Sequence, residues 1–386
     1  MTIKKIAVFT SIRSEYGLLS PLLHKLKEHP FFELKLLVGG AHLVKEYGHT
    51  VSFIEKDNFD IAQKFPFLFA DEEKDMLTRS ISALQLQIGK YFAENSFDLL
   101  VVLGDRFELL PVVLSATLYK IPIAHISGGD TTEGAIDNQI RHALTKLSHI
   151  HFPATELYAK NILSMGEESW RVCISGEPGL DLVKTTQFVD RTVLYNELGL
   201  DHTLPVVLIT FHPETISNKI SPLLIKSVCG LLLEKGYQVL ATASNFDEGG
   251  AAINNVYESL AAENESFIYH KSLGQVRFYS MLNYADLMIG NSSSGLVEAQ
   301  SFNLPVLNVG DRQKGRLANP NVIDVPAIDI EIEKKIKEAI SNTFNNKFIN
   351  KENIYGDGNA CDRIIVFLEK LEWKKLLSKK DCFNVE

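Results

Sequence analysis

LLVVLGDRFE, residues 99–108, opens with an uninterrupted apolar run that ends at a glycine and an acid. Such a run predicts a buried strand of a parallel sheet. A second apolar run, residues 121–126, ends at the triplet SGG, residues 127–129, in the same manner. In open α/β sheets the ligand-binding crevice lies outside the carboxyl ends of the strands. The loops that begin at Asp105 and at the SGG triplet are therefore predicted to meet at one edge of a sheet.

The rest of the chain alternates predicted strands with predicted helices. We predict further strands at residues 6–9, 33–38, 171–174, 205–210, 238–242, 267–269, 287–289 and 306–309. We predict helices at residues 18–29, 77–93, 135–147, 155–164, 219–233, 251–262 and 362–377. Repeated strand-helix-strand units imply parallel sheets with helices on both faces, which is an α/β fold.

The chain is long enough for two domains. Its 386 residues exceed what one core usually serves. The stretch SGEPG, residues 175–179, interrupts the alternation, which then begins again. We predict one α/β domain over residues 1–175 and a second over residues 176–358. The last segment, residues 359–386, is predicted to cross back to the first domain as a helix.

Composition and charge argue against several classes of protein. A hydrophobic content of 45% and a charged content of 23% are typical of a soluble globular chain. The net charge of −9 argues against a nucleic-acid partner, and no segment approaches the ~20 apolar residues of a membrane helix. The four cysteines lack metal-ligand spacing and indicate a reducing compartment. The N-terminal apolar run is too short for a signal peptide, so a cytoplasmic protein is predicted.

Charged residues gather on the loops that follow the two apolar runs. The candidates for acid-base chemistry are Asp105, Arg106, Asp130, Glu133 and Asp137. Asp105 has an alternative interpretation as a helix cap, because a helix is predicted to begin at Phe107. Asp137 has one as well, since it stands four residues before Arg141, where an ordinary helix-surface ion pair forms. The gathering of these groups favours chemistry more than any one of them does.

A second candidate site follows the predicted strand 287–289, in GNSSSGLVE, residues 290–298. Free backbone N–H groups at a helix start, joined by serine hydroxyls, favour an anion such as a diphosphate. Capping of the helix by serine is the alternative. Glu298 stands four residues after Ser294, not the three of a capping box, and its carboxylate is placed to accept hydrogen bonds from ribose hydroxyls. His212, after another predicted strand, is either a phosphate donor or a structural loop residue.

No cofactor or metal motif occurs in the sequence. The first predicted strand is followed by TSIRSEYG with Arg13, where a dinucleotide-binding fold would carry GxGxxG, and no GxxxxGK[ST] is present. His142, His149 and His151 have no carboxylate or cysteine repeated at ligand spacing beside them. We therefore predict neither a metal nor a cofactor.

Several motifs together resemble a known enzyme family. They are GDR at residues 104–106, the HxxGG turn followed by IRHALTKLSHIH, FHPET, GNSSSGLVE and NVGDRQKGR. From TSIRSEYGLLSPLL to GDRQKGR, the chain is similar to the hydrolysing UDP-N-acetylglucosamine 2-epimerases of sialic acid biosynthesis. The resemblance implies a fold of glycosyltransferase-B type, in which two Rossmann-like domains hold a UDP-sugar in the cleft between them. It also implies a homodimer.

The resemblance implies a two-step reaction. The family converts UDP-N-acetylglucosamine and water to N-acetylmannosamine and UDP, and related members act on UDP-N,N′-diacetylbacillosamine for legionaminic acid. UDP leaves by elimination across C1 and C2 to give a glycal, and water then adds with the opposite C2 configuration. A base must remove the weakly acidic C2 proton and an acid must return one from the other face, so the site needs several carboxyl groups.

Individual residues match functional positions of the family. Asp105 and Asp137 match acids implicated in catalysis, and Arg106 stands beside the first of them. The positions that hold UDP in the family are matched here by Arg13, His212, Ser292, Ser293, Glu298 and Arg312.

Ser127 departs from the family pattern, because several members have a glutamate at its position. A serine hydroxyl has a pKa far above neutrality and cannot simply replace a carboxylate as base. Asp130 or Glu133 then takes that role, unless both are solvated loop charges. A non-hydrolysing epimerase or retaining glycosyltransferase on the same scaffold, and a catalytically silent UDP-sugar-binding protein, remain open as alternatives.

Overall fold

The structure is a computed structural model and describes residues 2–45, 49–69, 73–133, 136–214, 220–244, 249–380 and 382. The chain forms two compact units. Unit 1 consists of Met1–Asp130, Asp137–Leu182 and Tyr355–Glu386, and unit 2 of Thr131–Ile136 and Val183–Ile354. Residues 131–136, inside the predicted first domain, thus cluster with unit 2, and residues 176–182, inside the predicted second domain, cluster with unit 1.

Strands and helices alternate through the described residues. The strands are β1 Lys4–Thr10, β2 Phe32–Gly39, β3 Ile61–Phe65, β4 Leu99–Leu103, β5 Ile123–Ile126, β6 Ile150–Phe152, β7 Val206–Thr210, β8 Gln238–Thr242, β9 Phe267–His270, β10 Leu287–Gly290, β11 Val306–Val309 and β12 Val322–Val325. The helices are α1 Arg13–Glu28, α2 Val51–Lys56, α3 Met76–Glu94, α4 Leu109–Leu118, α5 Asp137–Leu147, α6 Glu156–Ser164, α7 Gly179–Thr185, α8 Arg191–Leu198, α9 Pro222–Glu234, α10 Gly250–Glu263, α11 Gln275–Tyr284, α12 Ser293–Val297, α13 Asp329–Ala339, α14 Asn342–Asn345 and α15 Ala360–Glu369.

Unit 1 is built on a parallel sheet. Its described strands form a six-stranded sheet in the order β3-β2-β1-β4-β5-β6, and each pairing is parallel. The central strand β1 is buried on both faces. Ile6 and Val8 pack in one apolar cluster with side chains of α1 and α15, whereas Ala7 and Phe9 pack in another with side chains of α3 and α4. Because side chains alternate along a strand, a continuous apolar run predicts this double burial.

Unit 2 repeats the arrangement with its own core. Its described strands form a six-stranded sheet in the order β12-β11-β10-β7-β8-β9, again with parallel pairings. Val207 and Ile209 of β7 pack in an apolar cluster with side chains from α9, α10 and α13. The two parallel sheets, with helices between most successive strands, confirm the predicted α/β fold with two Rossmann-like domains. Among the described residues, no helix combines the length and the apolar content that a membrane crossing requires.

One predicted strand is wrong. Within residues 171–174, Arg171 ends a 3₁₀ turn, Ser169–Arg171. Val172 forms an isolated bridge with His151 of β6. The guanidinium of Arg171 is buried there and donates to the carbonyl oxygens of His149 and Leu376 at 3.2 and 2.9 Å. The backbone N–H of Cys173 also donates to the carbonyl oxygen of His151 at 2.9 Å, so the segment lies along β6 without forming a strand of the sheet.

Several element boundaries also differ from the predictions. Helix α1 begins at Arg13, five residues before the predicted start, and the helix predicted to end at residue 377 ends at Glu369. The first residues of two predicted helices, Ala135 and Lys219, lie outside the described residues. Strands β3, β6 and β12 carry no prediction: β3 and β12 are sheet edges with mixed polar sequences, and β6 is three residues long.

Candidate active site

The two loops that the sequence predicts to meet follow neighbouring strands. β4 and β5 pair directly, and the backbone N–H of Gly104 donates to the carbonyl oxygen of Ile126 at 3.0 Å. Nε2 of His125 lies 2.7 Å from the carbonyl oxygen of Gly104. Burial lowers the pKa of His125 to about 4, so the ring is neutral and Nε2 carries the proton that it donates. Asp105 and Ser127 therefore begin adjacent loops at the carboxyl edge of the sheet.

Asp105 forms an ion pair with Arg141 of helix α5. The Arg141 side chain is 1% exposed and that of Asp105 is 25% exposed. A second nitrogen of the Arg141 guanidinium donates to the carbonyl oxygen of Asp130 at 3.1 Å. A buried guanidinium requires such partners, because an uncompensated buried charge is costly. Arg141 thus fastens the Asp105 loop to the Asp130 loop.

The structure gives the surroundings in which the alternative interpretations of Asp105 and Asp137 are judged. Asp105 caps no helix, because α4 begins at Leu109 and its cap position is Glu108. Asp137 opens α5 and is half-buried, and Arg141, four residues further on, is buried and paired with Asp105 instead of lying on the helix surface. Arg106 lies beside Asp105 and donates to the buried carboxylate of Glu108 at 3.0–3.2 Å.

Asp130 and Glu133, the two proposed substitutes for a base, lie in different surroundings. Asp130 is buried in unit 1 and is therefore not a solvated loop charge. Glu133 belongs to unit 2, where its side chain is 55% exposed and its carboxylate lies 3.3 Å from Nζ of Lys314. The backbone N–H of Glu133 donates to the carbonyl oxygen of Lys314 at 2.9 Å. The short segment that carries Glu133 is therefore held by the loop that follows β11.

Ser127 has an acidic partner that the sequence analysis does not identify. Its φ of +59° turns the chain sharply after β5, and its Oγ donates to Oε2 of Glu177 at 2.8 Å. Glu177 lies 50 residues further along the chain, in the SGEPG stretch, and is 9% exposed. A carboxylate thus lies next to the serine at which the family pattern has a glutamate.

Glu15 is a second acid that the sequence analysis does not identify. It lies in the first turn of α1 and is buried; the backbone N–H of Ser11 donates to its Oε2 at 2.7 Å. Burial raises the pKa of Glu15 to about 7, and the charge of Glu108 adds to the rise. Arg13 opens the same helix, with its guanidinium 4.4 Å from the ring centre of Phe53. The carboxyl edge of β1 therefore carries a buried carboxyl group, Glu15, and a guanidinium group, Arg13, within one helical turn.

Three loops of unit 2 converge after the neighbouring strands β7, β10 and β11. Asn291 ties the first two loops together, since its Oδ1 accepts from the backbone N–H of His212 at 2.7 Å and its Nδ2 donates to the His212 carbonyl at 2.8 Å. The third loop joins through Arg312 and Gln313, whose side chains donate to the carbonyl oxygen of Asn291 at 3.1 and 3.0 Å. Gly290 permits the close approach, because a Cβ there would collide with the carbonyl of Thr210.

Ser292 and Ser293 stand at the start of the short helix α12. Ser292 is the cap residue, and its Oγ accepts from the backbone N–H of Ser294 at 3.4 Å. The capping interpretation is therefore correct for Ser292. The helix has only five residues, so the macrodipole contributes little, and an anion here would depend on N–H groups, hydroxyls and Arg312.

Burial shifts the pKa values of two groups in this region, Glu298 and His212. Burial raises the pKa of Glu298 to about 7, and among the described residues its Oε2 has no hydrogen-bond partner. Burial, with the nearby charge of Arg312, lowers the pKa of His212 to about 3. His212 is thus a neutral donor or acceptor, whereas Glu298 changes its charge near neutral pH. The predicted UDP-binding residues other than Arg13 all lie on unit 2.

Metal-ligating side chains do not gather in the described ranges: no group of three or more His, Cys, Asp or Glu could hold an ion. His151, one of the three histidines that the sequence analysis considers as metal ligands, lies 3.2 Å from the buried carboxylate of Glu167. The prediction that the protein uses no metal stays a prediction.

Comparisons with known proteins agree on one family. The sequence model described as UDP-N-acetylglucosamine 2-epimerase matches residues 24–369. GDP/UDP-N,N′-diacetylbacillosamine 2-epimerase (hydrolyzing) of Campylobacter jejuni is 36% identical over 337 residues, 86% of each chain. UDP-N,N′-diacetylbacillosamine 2-epimerase (hydrolyzing) of Legionella pneumophila is 34% identical over 372 residues, 96% of each chain.

The fold agrees as well. The crystal structure of UDP-GlcNAc 2-epimerase from Neisseria meningitidis bound to UDP-GlcNAc superposes with a TM-score of 0.82 at 19% identity, over 95% of this chain and 100% of that one. The likeness confirms the predicted fold of glycosyltransferase-B type. Together with the match over residues 24–369 and the two relatives above 30% identity, it gives the conclusion that the motifs predict: the chain belongs to the UDP-N-acetylglucosamine 2-epimerase family.

Proposed function

We propose that this protein is a hydrolysing UDP-sugar 2-epimerase, which converts a UDP-linked 2-acetamido sugar and water to UDP and the free sugar with inverted C2. The observation that carries the proposal is the linked set of Asp105, Arg141 and Asp130 at the carboxyl edge of the unit 1 sheet. The relatives from C. jejuni and L. pneumophila, both named as hydrolyzing enzymes, support the hydrolytic outcome.

Carboxyl groups on unit 1 carry the proton transfers in this proposal. Elimination of UDP requires removal of the C2 proton, and addition of water to the glycal requires return of a proton to C2. Asp105, partly exposed and held by Arg141, is positioned for one transfer. Asp137, half-buried at the start of α5, is the candidate for the other. Arg106 stabilises charge beside Asp105.

Polar groups on unit 2 hold UDP in this proposal. Arg312 supplies the positive charge for the diphosphate, and the hydroxyls of Ser292 and Ser293 supply hydrogen bonds. Neutral His212 donates one hydrogen bond without adding charge. The Glu298 carboxylate accepts hydrogen bonds from the ribose hydroxyls, which supplies the partner that its buried oxygen lacks among the described residues. Arg13 on unit 1 is the further cation proposed to contact the nucleotide.

Two sugar nucleotides are candidate substrates. UDP-N,N′-diacetylbacillosamine is favoured by the names of the relatives at 36% and 34% identity. UDP-N-acetylglucosamine, which the motifs suggest first, is favoured by the description of the family model. The two sugars differ at C4 and C6 and share the C1 and C2 positions at which the proposed reaction occurs.

The test is to incubate the protein with each sugar nucleotide in heavy water and to follow the mixture by proton and phosphorus NMR. We expect UDP to appear together with a free sugar of manno configuration that carries deuterium at C2. An intact UDP-linked sugar with inverted C2 would identify a non-hydrolysing epimerase instead. Binding of UDP with no change in either substrate would favour a catalytically silent protein.

A further inference from the structure

Ser127 and Glu177 form a hydrogen-bonded pair at the carboxyl edge of the unit 1 sheet. Oγ of Ser127 donates to Oε2 of Glu177 at 2.8 Å. Ser127 is half-buried, whereas Glu177 is 9% exposed. Ser127 is therefore the more accessible member, with a largely dehydrated carboxylate as its partner.

Backbone hydrogen bonds and strand pairing place the loops that carry the pair next to the strand that leads to Asp105. The N–H of Ser127 donates to the carbonyl of Phe152 at 3.0 Å, and the N–H of Ser175 donates to the carbonyl of Pro153 at 3.0 Å. The loop after β5 and the segment that leads to Glu177 thus both pass the end of β6. On its other side β5 pairs with β4, which leads to Asp105. Neighbouring strands lie roughly 5 Å apart, so the loops bearing the Ser127 hydroxyl and the Asp105 carboxylate start from adjacent strand ends.

The backbone at Glu177 is held by a hydrogen bond and close packing at Tyr355, the first residue of the C-terminal segment of unit 1. Its N–H donates to the carbonyl oxygen of Tyr355 at 2.9 Å, and Tyr355 is itself fully buried, with its hydroxyl 3.1 Å from that of Tyr158. Gly176 has a φ of +86°, and a Cβ there would lie 3.2 Å from the same Tyr355 oxygen. A carboxylate fixed in this way needs little reorganisation to accept a proton.

We propose that Glu177 accepts the C2 proton of the sugar through the hydroxyl of Ser127. The inference rests on the proposed function and assigns the base of its elimination step to this pair, so that Asp105 and Asp137 are the candidates for the acid that returns a proton to C2. A hydroxyl alone is a weak base, but a hydroxyl that donates to a carboxylate can lose its own proton while it takes another. Glu177 is thereby a positioning residue for the proton path, and Ser127 is the member that meets the sugar.

The step balances without any further reactant. The C2–H bond breaks and its proton moves to Oγ of Ser127, while the hydroxyl proton of Ser127 moves to Oε2 of Glu177. The electron pair of the C–H bond forms the C1–C2 double bond. The C1–O bond breaks and UDP leaves with its electron pair.

The first test replaces Glu177 by glutamine, which keeps an acceptor for the Ser127 hydroxyl and removes the base. We expect Glu177→Gln to lower kcat about 100-fold or more, with KM and UDP affinity near those of wild type. Ser127→Ala should lower kcat to a similar extent. The double variant should be no slower than Glu177→Gln, because both changes interrupt one proton path. The matched control is Glu94→Gln, at an exposed position at the end of α3, which should retain the wild-type rate.

The second test moves the carboxylate. Ser127→Asp in the Glu177→Gln background places an acid at residue 127, where φ is +59° and aspartate is tolerated. We expect this double variant to recover kcat about tenfold over Glu177→Gln and to restore the acidic limb of the profile of kcat/KM against pH. A merely structural role for Glu177 predicts no such rescue.

The outcomes separate the inference from the function on which it rests. A wild-type protein that releases no UDP from either sugar nucleotide overturns the proposed function. A wild-type protein that releases UDP, with Glu177→Gln and Ser127→Ala both within about threefold of its rate, overturns the Ser127 and Glu177 path alone. If Glu177→Gln does not fold, as judged by its melting temperature, Ser127→Ala decides by the same criterion.

Discussion

Arg141 is buried at 1% exposure while its guanidinium pairs with the partly exposed carboxylate of Asp105. The same side chain donates to the carbonyl oxygen of Asp130, so one residue of α5 fixes two loops at the sheet edge. The arrangement gives Asp105 a defined position and leaves part of its carboxylate accessible. The ion pair therefore links the stability of unit 1 to the geometry of the proposed acid-base site.

Replacement of Asp105 by asparagine should remove the proposed chemistry and keep the nucleotide. Asparagine retains an oxygen acceptor toward Arg141 but cannot exchange a proton, so we expect kcat to fall about 100-fold or more. UDP affinity, measured by calorimetry, should stay near the wild-type value, since the proposed UDP-holding residues other than Arg13 are on unit 2. Asp60→Asn, at an exposed position before β3, is the control. A folded Asp105→Asn protein that turns over at the wild-type rate would contradict the assignment.

Replacement of Arg141 by lysine should cost both stability and rate. Lysine keeps the charge, but it lacks the planar guanidinium whose separate nitrogens donate to the Asp105 carboxylate and to the Asp130 carbonyl. We expect a loss of about 1–3 kcal/mol, which is roughly 2–12 °C in the melting temperature for a unit of this size. The matched control is Arg79→Lys, since Arg79 forms an exposed ion pair with Asp75 whose loss should cost less than about 1 kcal/mol. Equal melting temperatures for the two variants would show that the contacts of Arg141 with Asp105 and Asp130 do not stabilise unit 1.

The parts of the fold that the sequence predicts are those with strong local signals. β1 and β4 are apolar runs bounded by polar or glycine residues, and the sequence predicts the ends of both to within two residues. The edge strand β12 reads VIDV, with an exposed aspartate, and its pairing with β11 depends on a neighbour already in place. At residues 171–174 the sequence predicts a strand that is not there. The short apolar pattern is overridden by the buried hydrogen bonds of Arg171 to carbonyl oxygens distant in the sequence.

The candidate site likewise contains residues that the sequence predicts and residues that it misses. The sequence predicts Asp105 and Ser127 at one sheet edge, because both follow predicted parallel strands and the carboxyl ends of such strands share an edge. This prediction needs only local apolar patterns. Glu177 contacts Ser127 across 50 residues, and nothing local distinguishes it from any other loop glutamate. Glu15 lay outside the predicted helix at residues 18–29, whereas the observed helix begins at Arg13 and buries it. Tertiary contacts, which a single sequence does not display, decide both cases.

Binding of UDP should release a proton from Glu298 at mildly acidic pH. Burial raises the pKa of Glu298 to about 7, so below pH 7 the free protein holds this group mostly protonated. Ribose hydroxyls that donate to the carboxylate favour its charged form, so binding should expel up to about one proton at pH 6 and almost none above pH 8. Calorimetric titration in two buffers of different ionisation enthalpy measures the release.

The comparison with Glu298→Gln isolates this proton, because the terminal phosphate of UDP also titrates near pH 6. We expect the variant to bind UDP more weakly than wild type and to release fewer protons at pH 6. Above pH 8 the two proteins should release the same number of protons. Glu265→Gln, at an exposed position before β9, should behave as wild type. Identical proton release in wild type and Glu298→Gln would show that Glu298 does not meet the ribose.

Replacement of Arg312 by alanine should weaken UDP binding. The carbonyl oxygen of Asn291 that accepts from Arg312 also accepts from Gln313 at 3.0 Å, so it remains bonded in the variant. Loss of a charge-assisted hydrogen bond costs about 1.5–3 kcal/mol, which corresponds to a Kd for UDP about 10-fold to 150-fold higher. The Kd should also depend less steeply on salt, since one cation is gone. Arg277→Ala is the control, because Arg277 forms an exposed pair with Glu197 at 3.0 Å; an Arg312→Ala protein that binds UDP as tightly as this control would remove Arg312 from the proposed diphosphate site.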